Sequence, residues 1–136
     1  MRKEGPKAEP RRRDRTVHIL LADDDESIAM VARLGLRRVG FTVTVVDNGL
    51  AALQAARATA FDALVLDWNM PGIDGIDVCR QLQADPSWNR VPIVFLTGAT
   101  HEGAEQEALA AGARGVISKP FDPTTIGEQV RAFTEL

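Results

Sequence analysis

The chain has 136 residues, 45% of them hydrophobic and 26% charged, with a formal charge of −3 and one cysteine. That length suits one domain with a real core, and no apolar run approaches the ~18–20 residues of a spanning helix. No basic start followed by an apolar stretch marks a secretory signal, and Cys79 alone permits neither an internal disulfide nor a cysteine metal cluster, so the expected compartment is cytoplasmic.

Residues 1–16 hold seven basic side chains against three acidic ones, with two prolines and no apolar periodicity. This composition predicts a disordered basic tail, either a solubilising leader or a contact for an acidic partner or nucleic acid. The remainder, 17–136, is the expected folded domain. It is acidic, which argues against nucleic-acid binding by the fold itself.

Residues 17–22 (VHILLA) read as a strand running into acids. Over 27–39, Ile28, Val31, Ala32, Gly35 and Val39 recur at helical spacing, with Asp25 placed to cap the start and Gly40 to end it. A β-branched strand follows over 41–46, and Asn48 caps a helix over 49–57. Residues 63–66 (ALVL) are a third strand, and 68–75 form a loop with one proline and two glycines. A helix over 76–84 stops at Asp85-Pro86. The fourth strand is 91–96, followed by an alanine-rich helix over 100–111 that Gly112 ends. Residues 115–118 are a short fifth strand. Asp122 is expected to cap a last helix with Pro123 at its first position and Ile126, Val130 and Phe133 on its apolar face.

Five alternations of strand and helix, with strands that are continuous apolar runs, predict a doubly wound α/β domain around a parallel sheet. The expected order is 2-1-3-4-5, the flavodoxin-like arrangement. Ligands of such sheets bind beyond the carboxyl ends of the strands, at the switch point between strands 1 and 3.

The acids fall at that point. Asp23, Asp24 and Asp25 follow the first strand, and Asp67 follows the third. Bunched carboxylates repel unless a cation or a proton relieves them, and a magnesium ion with oxygen ligands is the natural answer. A carboxylate at Asp67 can act as a nucleophile toward phosphorus. Thr97, ending the fourth strand, can donate to a phosphoryl oxygen, and Lys119, after the fifth, can pair with another.

With these residues placed, the chain resembles the receiver domains of two-component response regulators, through ILLADDDES, LVLDWNMPGIDG, FLTGA and ISKPF, from about Val17 to Phe133. The DWNMP stretch is similar to that of chemotaxis-type single-domain receivers. The resemblance implies that Asp67 is the phosphoacceptor and that Asp24 holds magnesium directly and Asp23 through water. Asn69 lends its backbone carbonyl to the metal, and Thr97 and Lys119 bind the phosphoryl group. It also implies a cis Lys119-Pro120 bond. The implied donor is a histidine kinase or histidine phosphotransfer protein, and the output is binding of a downstream protein or onward phosphotransfer. No membrane contact is expected, and the chain is expected to be a monomer or weak dimer. The implied role is a phosphoacceptor that assists its own phosphorylation and dephosphorylation, not a turnover enzyme. With the chain ending at Leu136, no separate output domain is expected.

Two positions depart from the family pattern. Gly98 follows Thr97 where Ala or Ser is usual, and Val116 occupies the place of a switching aromatic. Activation is therefore expected to travel through Thr97 and the 98–101 loop. Two other readings compete. A magnesium-dependent aspartyl phosphatase needs a second acid two residues after the nucleophile, where Asn69 stands. A pseudo-receiver would bind partners without phosphorylation. His18 and His101 are expected to be structural or surface groups, Cys79 a buried inert thiol, and Trp88 a packing residue. Trp68 is expected to be partly exposed beside the site, Asp74 a loop cap and Asp77 a solvated helix face.

Overall fold

Apolar runs bounded by Asx caps and glycines become ten elements in the computed structural model, which describes residues 16–88, 90–98 and 102–136. In chain order they are β1 (His18–Ala22), α1 (Glu26–Arg38), β2 (Thr42–Val46), α2 (Gly49–Ala58), β3 (Ala63–Asp67), α3 (Gly75–Gln83), β4 (Ile93–Thr97), α4 (Ala104–Ala110), β5 (Gly115–Ser118) and α5 (Ile126–Thr134). The sheet is parallel throughout, in the order β2-β1-β3-β4-β5. This is the expected flavodoxin-like fold. The basic tail, except for Thr16, and residues 99–101 of the loop and helix expected after β4 lie outside the described residues.

Each strand's alternation divides the core in two. Leu20, Leu64, Leu66 and Phe95 face one way and pack with α2, α3 and α4. Ile19, Leu21, Val65, Val94 and Leu96 face the other way and pack with α1 and α5. Burial on both faces is what the unbroken apolar runs require. The caps read from the sequence form. Asp25 accepts from the amides of Ser27 and Ile28, Asn48 from that of Ala51 and Asp74 from that of Asp77. Gly40 takes φ +96°, the left-handed backbone of a helix-ending glycine.

The α1–α5 contact depends on bare backbone. A Cβ on Gly35 would collide with Ile126 Cγ2, and one on Gly127 would lie 2.7 Å from the Gly35 carbonyl oxygen. Two helices approach this closely only where both contact positions lack a side chain.

The last helix begins later than expected. Asp122 accepts from the amide and hydroxyl of Thr124, closing a turn through Pro123, and the helix starts at Ile126 with Thr125 at its cap. The aspartate spends its oxygen on the turn, so it does not cap the helix. Among the described residues no helix is long and apolar enough to cross a membrane.

Candidate phosphoacceptor site

The carboxyl ends of four strands meet at one edge of the sheet. Backbone bonds lock them together. The Asp23 amide donates to the Val46 carbonyl at 3.1 Å, that of Trp68 to Leu96 at 2.9 Å and that of Lys119 to Thr97 at 2.7 Å. Asp67 is the final residue of β3 and Thr97 that of β4, while Asp23 and Lys119 immediately follow β1 and β5. Asp23, Asp67 and Thr97 are buried, whereas Asp24 and Asn69 are exposed.

Lys119 binds the arrangement together. Its Nζ donates to Asp67 Oδ1 at 3.0 Å and lies 3.2 Å from Asp23 Oδ2. The second contact is an ion pair outside hydrogen-bonding geometry, so Asp23 Oδ2 is buried with no hydrogen-bond donor. The other oxygen of Asp23 accepts from the Asp25 amide at 2.9 Å. Burial pushes the Asp67 carboxyl up from 3.8 to about 6. The Lys119 hydrogen bond opposes that rise and the neighbouring Asp23 charge reinforces it. Burial also works against the Lys119 charge, but its hydrogen bond to Asp67 and the two carboxylates outweigh it, so its pKa lies above 10.5.

This donor set fits a hard divalent cation. Asp23, Asp24 and Asp67 each offer a carboxylate oxygen, and these atoms lie within 4.8 Å of one another. The buried Asp23 Oδ2 has its ion pair with Lys119 but no hydrogen-bond donor, and oxygen-only donors suit magnesium.

Gly75 supports the site from beneath, a role not visible in the sequence reading. Its amide donates to the Trp68 carbonyl at 2.9 Å, and a Cβ there would collide with the Asp67 carbonyl oxygen. A glycine directly after the Asp74 cap was the available signal, but nothing local said which backbone would press on it.

The family model for the response regulator receiver domain matches residues 19–131. The chain belongs to the receiver-domain family of response regulators. Among curated relatives, the DNA-binding response regulator MtrA of Mycobacterium tuberculosis is 43% identical over 114 residues, covering 84% of this chain and 49% of that protein. This receiver thus spans about half the length of MtrA. The chemotaxis protein CheY-3 of Vibrio cholerae is 35% identical over 118 residues, covering 86% of this chain and 91% of that protein. Among solved structures, a putative response regulator from Chloroflexus aurantiacus superposes with a TM-score of 0.84 at 31% identity, covering 90% of this chain and all of that one. The V. cholerae chemotaxis regulator CheY4 gives 0.81 at 29% identity, covering 88% of this chain and 99% of that one.

Several side-chain expectations hold in this receiver. The Lys119-Pro120 bond is cis. Cys79 is buried with Sγ 3.2 Å from the Ala111 carbonyl oxygen, and burial pushes its thiol up to about 11. His18 is structural, with Nε2 2.7 Å from Thr44 Oγ1 and its ring edge-on to Phe61. Trp88 packs in the core, and His101 lies outside the described residues. The expectation for Trp68 fails. Trp68 is buried, not partly exposed, because its ring packs against Phe95 with centroids 5.0 Å apart.

Proposed function

We propose that this receiver accepts a phosphoryl group on Asp67 from a phosphohistidine of a histidine kinase or phosphotransfer protein. The observation that carries the reading is Lys119, whose ammonium holds Asp67 Oδ1 while its neighbour Asp23 keeps a buried oxygen without a donor. An Asp67 oxygen forms the O–P bond as the N–P bond of the donor breaks, and the electron pair stays on the departing imidazole nitrogen. The Lys119 ammonium and the Thr97 hydroxyl meet the charge spread over the phosphoryl oxygens. Asp23, Asp24, Asp67 and the Asn69 backbone carbonyl would hold magnesium, Asp24 directly and Asp23 through water. The ion supplies further neutralisation of phosphoryl charge.

The output is binding of a downstream protein partner or onward phosphotransfer, signalled by Thr97 and the 98–101 loop. Val116 supports this route: it is half-buried and packs with the α2–α3–α4 side of the core, and it has no ring to reposition. The amide at 69 supports a phosphoacceptor over a hydrolase, since it offers no second proton-transferring acid.

The test is the intact mass of the protein after incubation with a small phosphodonor and magnesium, beside Asp67→Asn. A single phosphoryl gain that needs magnesium and vanishes in the variant is expected. No gain in the native chain overturns the reading and leaves a constitutive binding module. Steady hydrolysis of small phosphate esters would instead make it an enzyme.

A further inference from the structure

We propose that a second copy of this chain docks on the β2 edge of the sheet, antiparallel to the first about a two-fold axis at Thr44. Among the described residues β2 pairs only with β1, and it is the outer strand. Its sequence, TVTVV, carries no proline, lysine or bulge, the usual means of blunting an edge.

The backbone fixes which groups are available. The Thr42 amide donates to the Val17 carbonyl, and the Val46 carbonyl accepts from Asp23. Alternation then turns the amide groups of 42, 44 and 46 toward β1 and those of Val43 and Val45 outward. A two-fold axis at Thr44 sets Val43 of one copy opposite Val45 of the other. Each such pair exchanges both its N–H and its C=O, the hydrogen-bonded pairing of an antiparallel ladder. One register therefore satisfies every outward group of the strand's middle.

The side chains make the same face self-complementary. The register Ile19↔Val43 and Leu21↔Val45 places both valines on the side of the sheet covered by α1. Glu26, Met30, Arg33 and Arg37, spaced four, three and four apart, share one stripe of α1. Met30 is 70% exposed and Val45 39%, an apolar centre open to solvent. At the carboxyl end of β2 the groove beside α1 is lined by Glu26 and Asp47, next to Asp24 of the candidate metal site. At its amino end it is lined by Arg33 and Arg37 with Thr42 and Val43. Among the described residues neither arginine lies within ion-pair distance of a carboxylate. Antiparallel pairing brings the basic end of each copy to the acidic end of the other, at both symmetry-related places. A face whose two ends carry opposite charge about a neutral, apolar middle matches itself when turned over. That complementarity, joined to the unpaired edge, commits the occupant to a second copy.

The test is the mass of the full chain by sedimentation from micromolar to millimolar concentration, in low and high salt. A concentration-dependent dimer that salt weakens is expected. Arg37→Glu should weaken it by about tenfold or more, since like charges then meet at both ends. Adding Asp47→Arg to Arg37→Glu should restore it, because the complementarity returns inverted. Val45→Pro removes one outward donor without touching the β1 ladder, and Val45→Lys adds an edge charge; either should leave a folded monomer. A monomer at every concentration overturns the proposal, as does a dimer indifferent to these changes. A chain that dimerises only after removal of residues 1–15 would assign the edge to the tail and also overturn it.

Discussion

The two helices that flank the site are held very differently. α1 has thirteen residues, an Asp25 side chain that accepts from two of its first amides, and basic Arg37 and Arg38 in its last turn. It presses through Gly35 onto α5. α4 has seven residues, follows Gly103 at φ +84° with no side-chain cap, and buries only Ala108. One helix is a fixed wall of the site. The other follows the strand that ends in Thr97, and with no side-chain cap and one buried residue its local stability is expected to be low. A site that must report a new charge needs both: a rigid frame to hold the acids and a lightly held element to respond.

The largest expected effect tests the frame at its charged centre. Lys119→Met leaves Asp23 and Asp67 buried without their cation, and should cost about 3 kcal/mol near neutral pH. Denaturant unfolding would show it, and the loss should shrink below pH 6 as Asp67 takes up its proton. Gly127→Val attacks the wall itself. Its side chain would enter the space of the Gly35 carbonyl and Val39, so a loss of about 2–3 kcal/mol is expected by the same assay. An unchanged midpoint would show that α1 and α5 separate easily and that the contrast with α4 is unreal.

The pH dependence sharpens the comparison. The folded-state pKa of Asp67 is raised from 3.8 to about 6, so the unfolded chain releases that proton first. Metal-free stability contributed by this group should therefore fall as pH climbs from about 4 to 6. Magnesium affinity should move the other way and weaken below pH 6, because the ion competes with that proton. Lys119 has the same sign in a higher window: its raised pKa stabilises the fold below 10.5, and the contribution is lost as pH rises above it.

Two small substitutions probe the helices separately. Asp25→Ala removes the cap of α1 and should cost about 1 kcal/mol. Gly98→Ala, at the root of the segment leading to α4, should change stability by less than about 0.5 kcal/mol. A Cβ there would find only Lys119 Cδ, at 3.8 Å. Hydrogen exchange should show the contrast directly, with α4 amides exchanging at least roughly tenfold faster than the central amides of α1. Equal protection would erase the distinction.

Much of this molecule was legible in its sequence, and the reasons are local. Continuous apolar runs mark strands covered on both faces, so all five strands and their parallel order were readable. Asp25, Asn48 and Asp74 accept from amides two or three residues on, and the Gly40 amide donates to the Arg37 carbonyl, so those ends were readable too. The chain order of Asp23, Asp67, Thr97 and Lys119, each at a strand end, was enough to propose a site. Asp122 misled because Thr124 intercepts its oxygen, a competition that spacing alone does not decide.

Only the tertiary structure decided the rest, because it depends on groups far apart in the chain. Lys119 meets Asp67 across 52 residues, and the distance that results leaves Asp23 with its unfilled oxygen. Trp68 is buried by Phe95, Gly75 is pinned by Asp67, and Gly35 is pinned by Ile126. The sequence determined which groups stand at the edge of the sheet. Packing determined how far apart they stand, and so how their charges weigh on one another.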